Sequence, residues 1–216
     1  MPPLHRLDRA VSVMAILLIP ASRAHTQVTG TVTAFVGYYR PFGHFDRASV
    51  YTTELPERPE DLRAAAWGGA GQLAIGDRFG VAAQVAKTRS RVPESFNPGG
   101  AAGPTDASVL LATLQGQYAV ALMPRAQLWL NAGPGLVHHG GTAYARHGSP
   151  TSFAGVIGTT LVVPVAPHLQ FTANATVLLY VLDVPMPPEL RLNPGRLEHG
   201  AQRDALLHAG LSWRPL

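Results

Sequence analysis

The chain has 216 residues, of which 46% are hydrophobic and only 14% charged, with a net charge of +4; soluble domains usually carry about 25% charged residues, so groups that keep a surface wet are scarce. Beyond the first 20 residues no apolar run approaches the roughly 18 needed for a spanning helix, which excludes a polytopic helical membrane protein. The lack of cysteine excludes a disulfide framework, a thiolate metal site and a lipid-anchoring cysteine, and the scattering of arginine over loops and termini argues against nucleic acid as a partner.

His5, Arg6 and Arg9 precede an apolar stretch, 10–19, followed by Pro20 and Ala21-Ser22-Arg23-Ala24. That is the order of a secretory signal, with Ser22 and Ala24 at the positions signal peptidase reads, and its apolar core is too short to stay as an anchoring helix. The expected organisation is a cleavable signal peptide, 1–24, and one domain, 25–216, whose mature chain begins at His25.

From Val28 onward the dominant period is two, the mark of strands with one apolar face. The first expected strand, 28–39, sets Val28, Val32, Ala34, Val36 and Tyr38 against Thr29, Thr31 and Thr33. A long polar connection, 40–66, leads to a strand over 67–75, the tight turn Gly76-Asp77-Arg78, and a strand over 79–88. A second long connection, 90–107, precedes strands over 108–122 and 127–137, joined by Met123-Pro124-Arg125-Ala126. After a third, 138–151, comes a strand over 152–164 in which Phe153, Val156, Ile157, Leu161, Val162 and Val163 leave the facing open. Val165-Ala166-Pro167-His168 joins it to 169–182, where Leu169, Phe171, Ala173, Ala175, Val177 and Leu179 alternate with Gln170, Thr172, Asn174 and Thr176. A fourth long connection, 183–204, precedes the last strand, 205–214.

Short and long connections therefore alternate along eight strands. In an all-β, antiparallel up-and-down barrel this puts every tight turn at one rim and every long loop at the other, as periplasmic turns and extracellular loops are placed in transmembrane β-barrels. Charge decides which way the apolar face points. Six of the eight segments contain no Asp, Glu, Lys or Arg, the exceptions being Arg78, Lys87 and Arg214 near strand ends. A soluble barrel walled only by Thr, Gln, Asn, Ala and Gly would have little to keep it in solution, whereas a charge at a bilayer midplane costs about 2–4 kcal/mol. Trp67, Tyr38 and Tyr180 fall near the long-loop rim, and Tyr118 and Trp213 near the other, as aromatic belts do; Trp129 shares parity with Asn131 and is expected inside. Phe35, Tyr39, Gln72, Gln84, Gln115, Gln117, Asn131 and Asn174 are expected to fill a lumen too narrow for an open pore.

Over 28–216 this pattern resembles the eight-stranded outer-membrane barrels typified by the OmpA transmembrane domain and OmpX. The resemblance implies a monomer in the outer membrane of a Gram-negative cell envelope. Its implied partners are membrane lipids and lipopolysaccharide, periplasmic chaperones and the barrel assembly machinery. Members usually end on a strand with a terminal aromatic; here Leu207, Ala209, Leu211 and Trp213 alternate, and the chain ends on Pro215 and Leu216.

Local chemistry is sparse. His138 and His139, with His147, could form a rim metal site, against the plainer reading of exposed loop histidines. His208 shares parity with Gly210 and Ser212, and reads as a hydrogen-bonded lumen histidine. Eight-stranded barrels include lipid A acyl-modifying enzymes, and Ser152 with His138 or His139 could meet near the long-loop rim, though spacing alone specifies no triad. Asp46, Glu54, Glu57, Glu60 and Asp61 make the first long loop acidic, which reads as solvated rather than as a cation site. Asn174-Ala175-Thr176 matches a glycosylation acceptor but lies mid-strand. The expectation is thus a structural or surface-interaction barrel with no catalytic residue, cofactor or metal. The alternatives are a lipid A acyl-modifying enzyme and, behind it, a soluble lipocalin-like binder.

Overall fold

The computed structural model describes residues 28–42, 63–92, 105–142, 151–184 and 198–214, so the expected signal peptide, 1–24, lies outside the described residues. Eight strands follow in chain order: β1 Val28–Pro41, β2 Ala64–Ile75, β3 Phe79–Val92, β4 Thr105–Met123, β5 Ala126–Gly140, β6 Thr151–Ala166, β7 Leu169–Val184 and β8 Glu198–Trp213. Each pairs antiparallel with its neighbour, and β8 returns to β1, closing an up-and-down barrel. Closure leaves no sheet edge whose N–H and C=O groups would go unpaired in hydrocarbon. The tight turns gather at one rim with the start of β1 and the end of β8; Gly76 turns there at φ +62°, a conformation glycine adopts without a Cβ penalty.

The strands outrun the apolar alternation, chiefly at the other rim. β3 continues past Thr88 to Val92, β4 begins at Thr105 rather than Ser108, and β8 begins at Glu198 rather than Ala205. Arg40, Arg91, Asp106, Asp183, Arg203 and Asp204, expected in connections, are therefore strand residues. The backbone ladder needs no apolar side chain, so pairing persists where the wall rises out of a hydrocarbon layer and the alternation stops.

The outer face is greasy all round: Phe153 is 84% exposed and Val36 71%, with Val32, Leu73, Val85, Leu130, Ile157 and Leu211 also exposed. Soluble monomers rarely expose an apolar patch beyond a few hundred Å². With apolar residues encircling the outside, the soluble lipocalin-like alternative is overturned. Pairing of β6 with β5 and β7 settles its facing, with Phe153, Ile157 and Leu161 outward and Ala154, Val156 and Val162 inward.

Inside, the side chains lie in levels. Nearest the tight turns, Trp129 packs on Ala119 and Val162, inward as its parity required. Above them runs a polar belt in which Gln117 Nε2 donates to Asn131 Oδ1 (3.1 Å), and the Asn131 and Asn174 amides both donate to Thr160 Oγ1 (2.7 Å each). On the β7–β8–β1 side the Ser212 hydroxyl joins Thr33 (2.8 Å) and Thr172 (3.1 Å). The next level is apolar, built from Phe35, Leu111, Val137, Val156, Leu178 and Leu206. This level departs from the small, polar inner face expected from sequence. Phe35 stacks on His208 with centroids 3.9 Å apart. Both rings lie over bare backbone: a Cβ on Gly210 would sit 2.8 Å from Phe35 Cβ, and one on Gly37 2.5 Å from His208 Cβ.

Candidate functional site in the upper lumen

Above the apolar level, near the long-loop rim, four strands bring polar groups together. Asp204 on β8 is fully buried and accepts from both phenols, Tyr39 of β1 and Tyr180 of β7, at the same carboxylate oxygen, Oδ2. The Tyr180 oxygen also lies 3.3 Å from His139 Nε2 on β5, as acceptor to the Nε2–H tautomer. Asp204 Oδ1 has no hydrogen-bond partner among the described residues. Thr88, Ser90 and Gln202 join these residues around a void of about 10 Å³, room for one water. Two phenol donors on one carboxylate are the means by which a buried charge is tolerated, since an unpaired one would be far too costly.

Sequence reading missed this cluster. Asp204 was expected in a connection, and Tyr180 in the outer aromatic belt. Tyr180 is buried at 7% exposure, and the signal was present: it shares parity with Thr172, Asn174 and Thr176, all inward. Tyr38, Trp67, Tyr118 and Trp213 do face outward.

Of the other candidates, those among the described residues are dispersed over the wall and the lumen, except that Ser152 and His139 are diagonal neighbours on the inner face. His138 and His139 are strand residues, not loop residues, and adjacency in a strand sends them to opposite sides of the wall. His138 contacts Thr151 outside (Nδ1 to Oγ1 2.8 Å), while His139 is buried inside. His147, Asp46, Glu54, Glu57, Glu60 and Asp61 lie outside the described residues. Ser152 is buried and pairs with Val137. His208 is inward but not hydrogen-bonded: neither ring nitrogen has a partner among the described residues, because the ring sits in the apolar level against Phe35. Ser212 is engaged by Thr33 and Thr172 instead. Of the expected lumen residues, Phe35, Tyr39, Gln84, Gln115, Gln117, Asn131 and Asn174 are buried. Gln72 is half-buried and lines a vestibule of about 250 Å³ at the tight-turn rim, with Thr29, Thr31, Gln127, Gln170 and Arg214. Trp129 and Val162, both buried, line its inner part, below the polar belt.

No protein-family model matches the chain, and no curated protein matches it. Its fold is similar to that of Neisserial surface protein A, with a TM-score of 0.51 and 13% identity over 87% of this chain and 98% of that one. It is also similar to a major outer membrane protein from Thermus thermophilus, with a TM-score of 0.50 and 12% identity over 87% and 99% of the two chains. At these identities the likeness is one of fold, and the fold is that of the small eight-stranded transmembrane β-barrels.

Proposed function

We propose that the protein is an outer-membrane barrel of a Gram-negative bacterium with a structural or surface-interaction role, its four longer connections facing the cell exterior and its lumen closed. The observation that carries this reading is an apolar wall on the outside of a barrel whose inside is occupied by its own side chains. Export on residues 1–24, delivery by periplasmic chaperones, insertion by the barrel assembly machinery and a monomeric state belong to the same reading. The similar folds being those of a surface protein and an outer membrane protein supports the location. The Ser212 hydroxyl bonded to Thr33 and Thr172, and the His208 ring stacked on Phe35, support a non-catalytic role over lipid A modification.

Epitope tags placed in the segment 143–150 and in the turn at Pro124–Arg125 test the orientation. The first should be accessible to antibody on intact cells, and the second only after the outer membrane is permeabilised. Recovery of the protein in the soluble periplasmic fraction, or the reverse accessibility, would overturn the reading. Lipid A extracted from cells with and without the protein should have the same mass, and an altered acyl chain would restore the enzyme alternative.

A further inference from the structure

We propose that one face of the outer wall, formed at the long-loop rim by β8, β1, the start of β2 and β3, docks the phosphate groups of lipid A. The proposal rests on the outer-membrane reading above and adds a surface and a ligand to it. Every Lys and Arg within the eight strands lies on β1, β3 or β8, namely Arg40, Lys87, Arg89, Arg91 and Arg203; β2, β4, β5, β6 and β7 contain none. Lys87, Arg89 and Arg203 are exposed on the outer face, Arg40 is half-exposed there with its guanidinium over the Phe42 ring, and Arg63 is exposed immediately before β2.

Barrel closure turns these scattered residues into a row. Arg40 pairs with Ala205 across the β1–β8 seam, which makes Arg203 its diagonal neighbour at about 7–8 Å. Tyr39 pairs with Ala64, so the same register carried one residue further sets Arg63 opposite Arg40. Ala65 pairs with Arg89, which makes Arg89 diagonal to Arg63, and Lys87 pairs with Trp67. Arg89 also holds Asp106 of β4 at 2.8 Å, an exposed, solvent-screened pair that offsets one of the row's charges.

The height of the row fits phosphate. Tyr38 and Trp67 face outward next to it, and amphipathic aromatics settle at the headgroup level of a bilayer. Below them Val36, Leu73, Val85 and Leu207 present an apolar wall. A bis-phosphorylated glycolipid covers both surfaces at once, with acyl chains on the apolar wall and phosphates in bidentate contact with guanidinium groups. A soluble polyanion would reach the row but leave the wall beneath it bare. On the opposite side, β5 to β7, the outer wall offers Phe153, Leu179 and Val181 and no Lys or Arg.

The test uses the full barrel in detergent micelles and native mass spectrometry with purified bis-phosphorylated and dephosphorylated lipid A. Bis-phosphorylated lipid A should bind at least about tenfold tighter, the equivalent of one charge-assisted contact. The paired variant R40Q/R203Q should lose most of that preference, as should K87Q/R89Q, while both keep the heat-modifiable gel mobility of a folded barrel. Equal binding of the two lipid A forms by a folded barrel would overturn the proposal and leave the outer-membrane reading intact. Equal affinity for phosphatidylglycerol, or preferential binding of heparin, would also overturn it, by reassigning the face to anionic lipid in general or to an extracellular polyanion. Failure of the wild-type chain to fold in micelles or bilayers at all would instead sink the outer-membrane reading itself.

Discussion

Ala175 and Thr176 are adjacent in β7 and lie on opposite sides of the barrel wall. Ala175 is exposed and pairs with Leu207, whereas Thr176 is 2% exposed and donates to Asn174 Oδ1 inside the lumen. Ala175→Arg should therefore destabilise the folded barrel in a bilayer by about 2–4 kcal/mol, because the guanidinium is held in hydrocarbon with little chance to reach either surface. A lipid-soluble thiol probe should label Ala175→Cys, and a hydrophilic one should not. The lipid-soluble probe should spare Thr176→Cys; the reverse pattern would mean that the wall is turned inside out.

Asp204 is the shared acceptor for Tyr39 and Tyr180. Replacing it with Ala takes the shared acceptor from both phenols, and at about 1–3 kcal/mol for each buried hydrogen bond lost the cost should be about 2–4 kcal/mol. Asp204→Asn keeps an oxygen in place and should lose less than half as much. Urea unfolding in liposomes, followed by tryptophan fluorescence, measures the difference; equal losses would show that the phenols do not depend on that acceptor.

His208 presents the opposite case, a buried polar ring whose nitrogens have no partner among the described residues and whose face is covered by Phe35. His208→Phe removes the desolvated nitrogens and keeps a stacked ring, so it should raise stability by about 1 kcal/mol. Phe35→Ala, which opens a cavity in the same level, should cost about 3–5 kcal/mol. A destabilised His208→Phe would indicate that the histidine nitrogens are satisfied in the folded barrel after all.

With Phe35, Leu111, Val137, Val156, Leu178 and Leu206 across the lumen, planar bilayers containing the protein should show no stable conductance of porin size. Steady channels of that size would require a larger assembly or a lumen that empties.

Most of the architecture was legible because the outer face alternates so regularly. In β1 and β7 every second residue faces lipid, and the strand count and the alternation of turns followed directly. The strand ends were not legible, since Arg89, Asp106 and Arg203 look like loop residues until the ladder is seen to continue through them. The apolar level was hidden for a different reason. Leu111 follows Leu110 and Leu178 lies between Val177 and Leu179, so the inner and outer faces are both apolar there and the alternation vanishes from the sequence. The Asp204 cluster needed both corrections at once: β8 had to begin earlier, and Tyr180 had to be assigned by parity rather than by its aromatic character. The row from Arg203 to Arg89 could not be seen at all without closure, because it joins the last strand to the first.

That seam between β1 and β8 also has a kinetic meaning. Its side-chain bonds join residues far apart in the chain, Thr33 with Ser212 at a separation of 179 and Tyr39 with Asp204 at 165. Contacts of such length form late, since the loop-closure entropy must be met before they give anything back. Until β8 arrives, Thr33 and Tyr39 lack these cross-seam bonds on a curled but unsealed sheet, and closure supplies them. The last strand thus works as a zip fastener, drawing the edges into register and locking the interior as it passes.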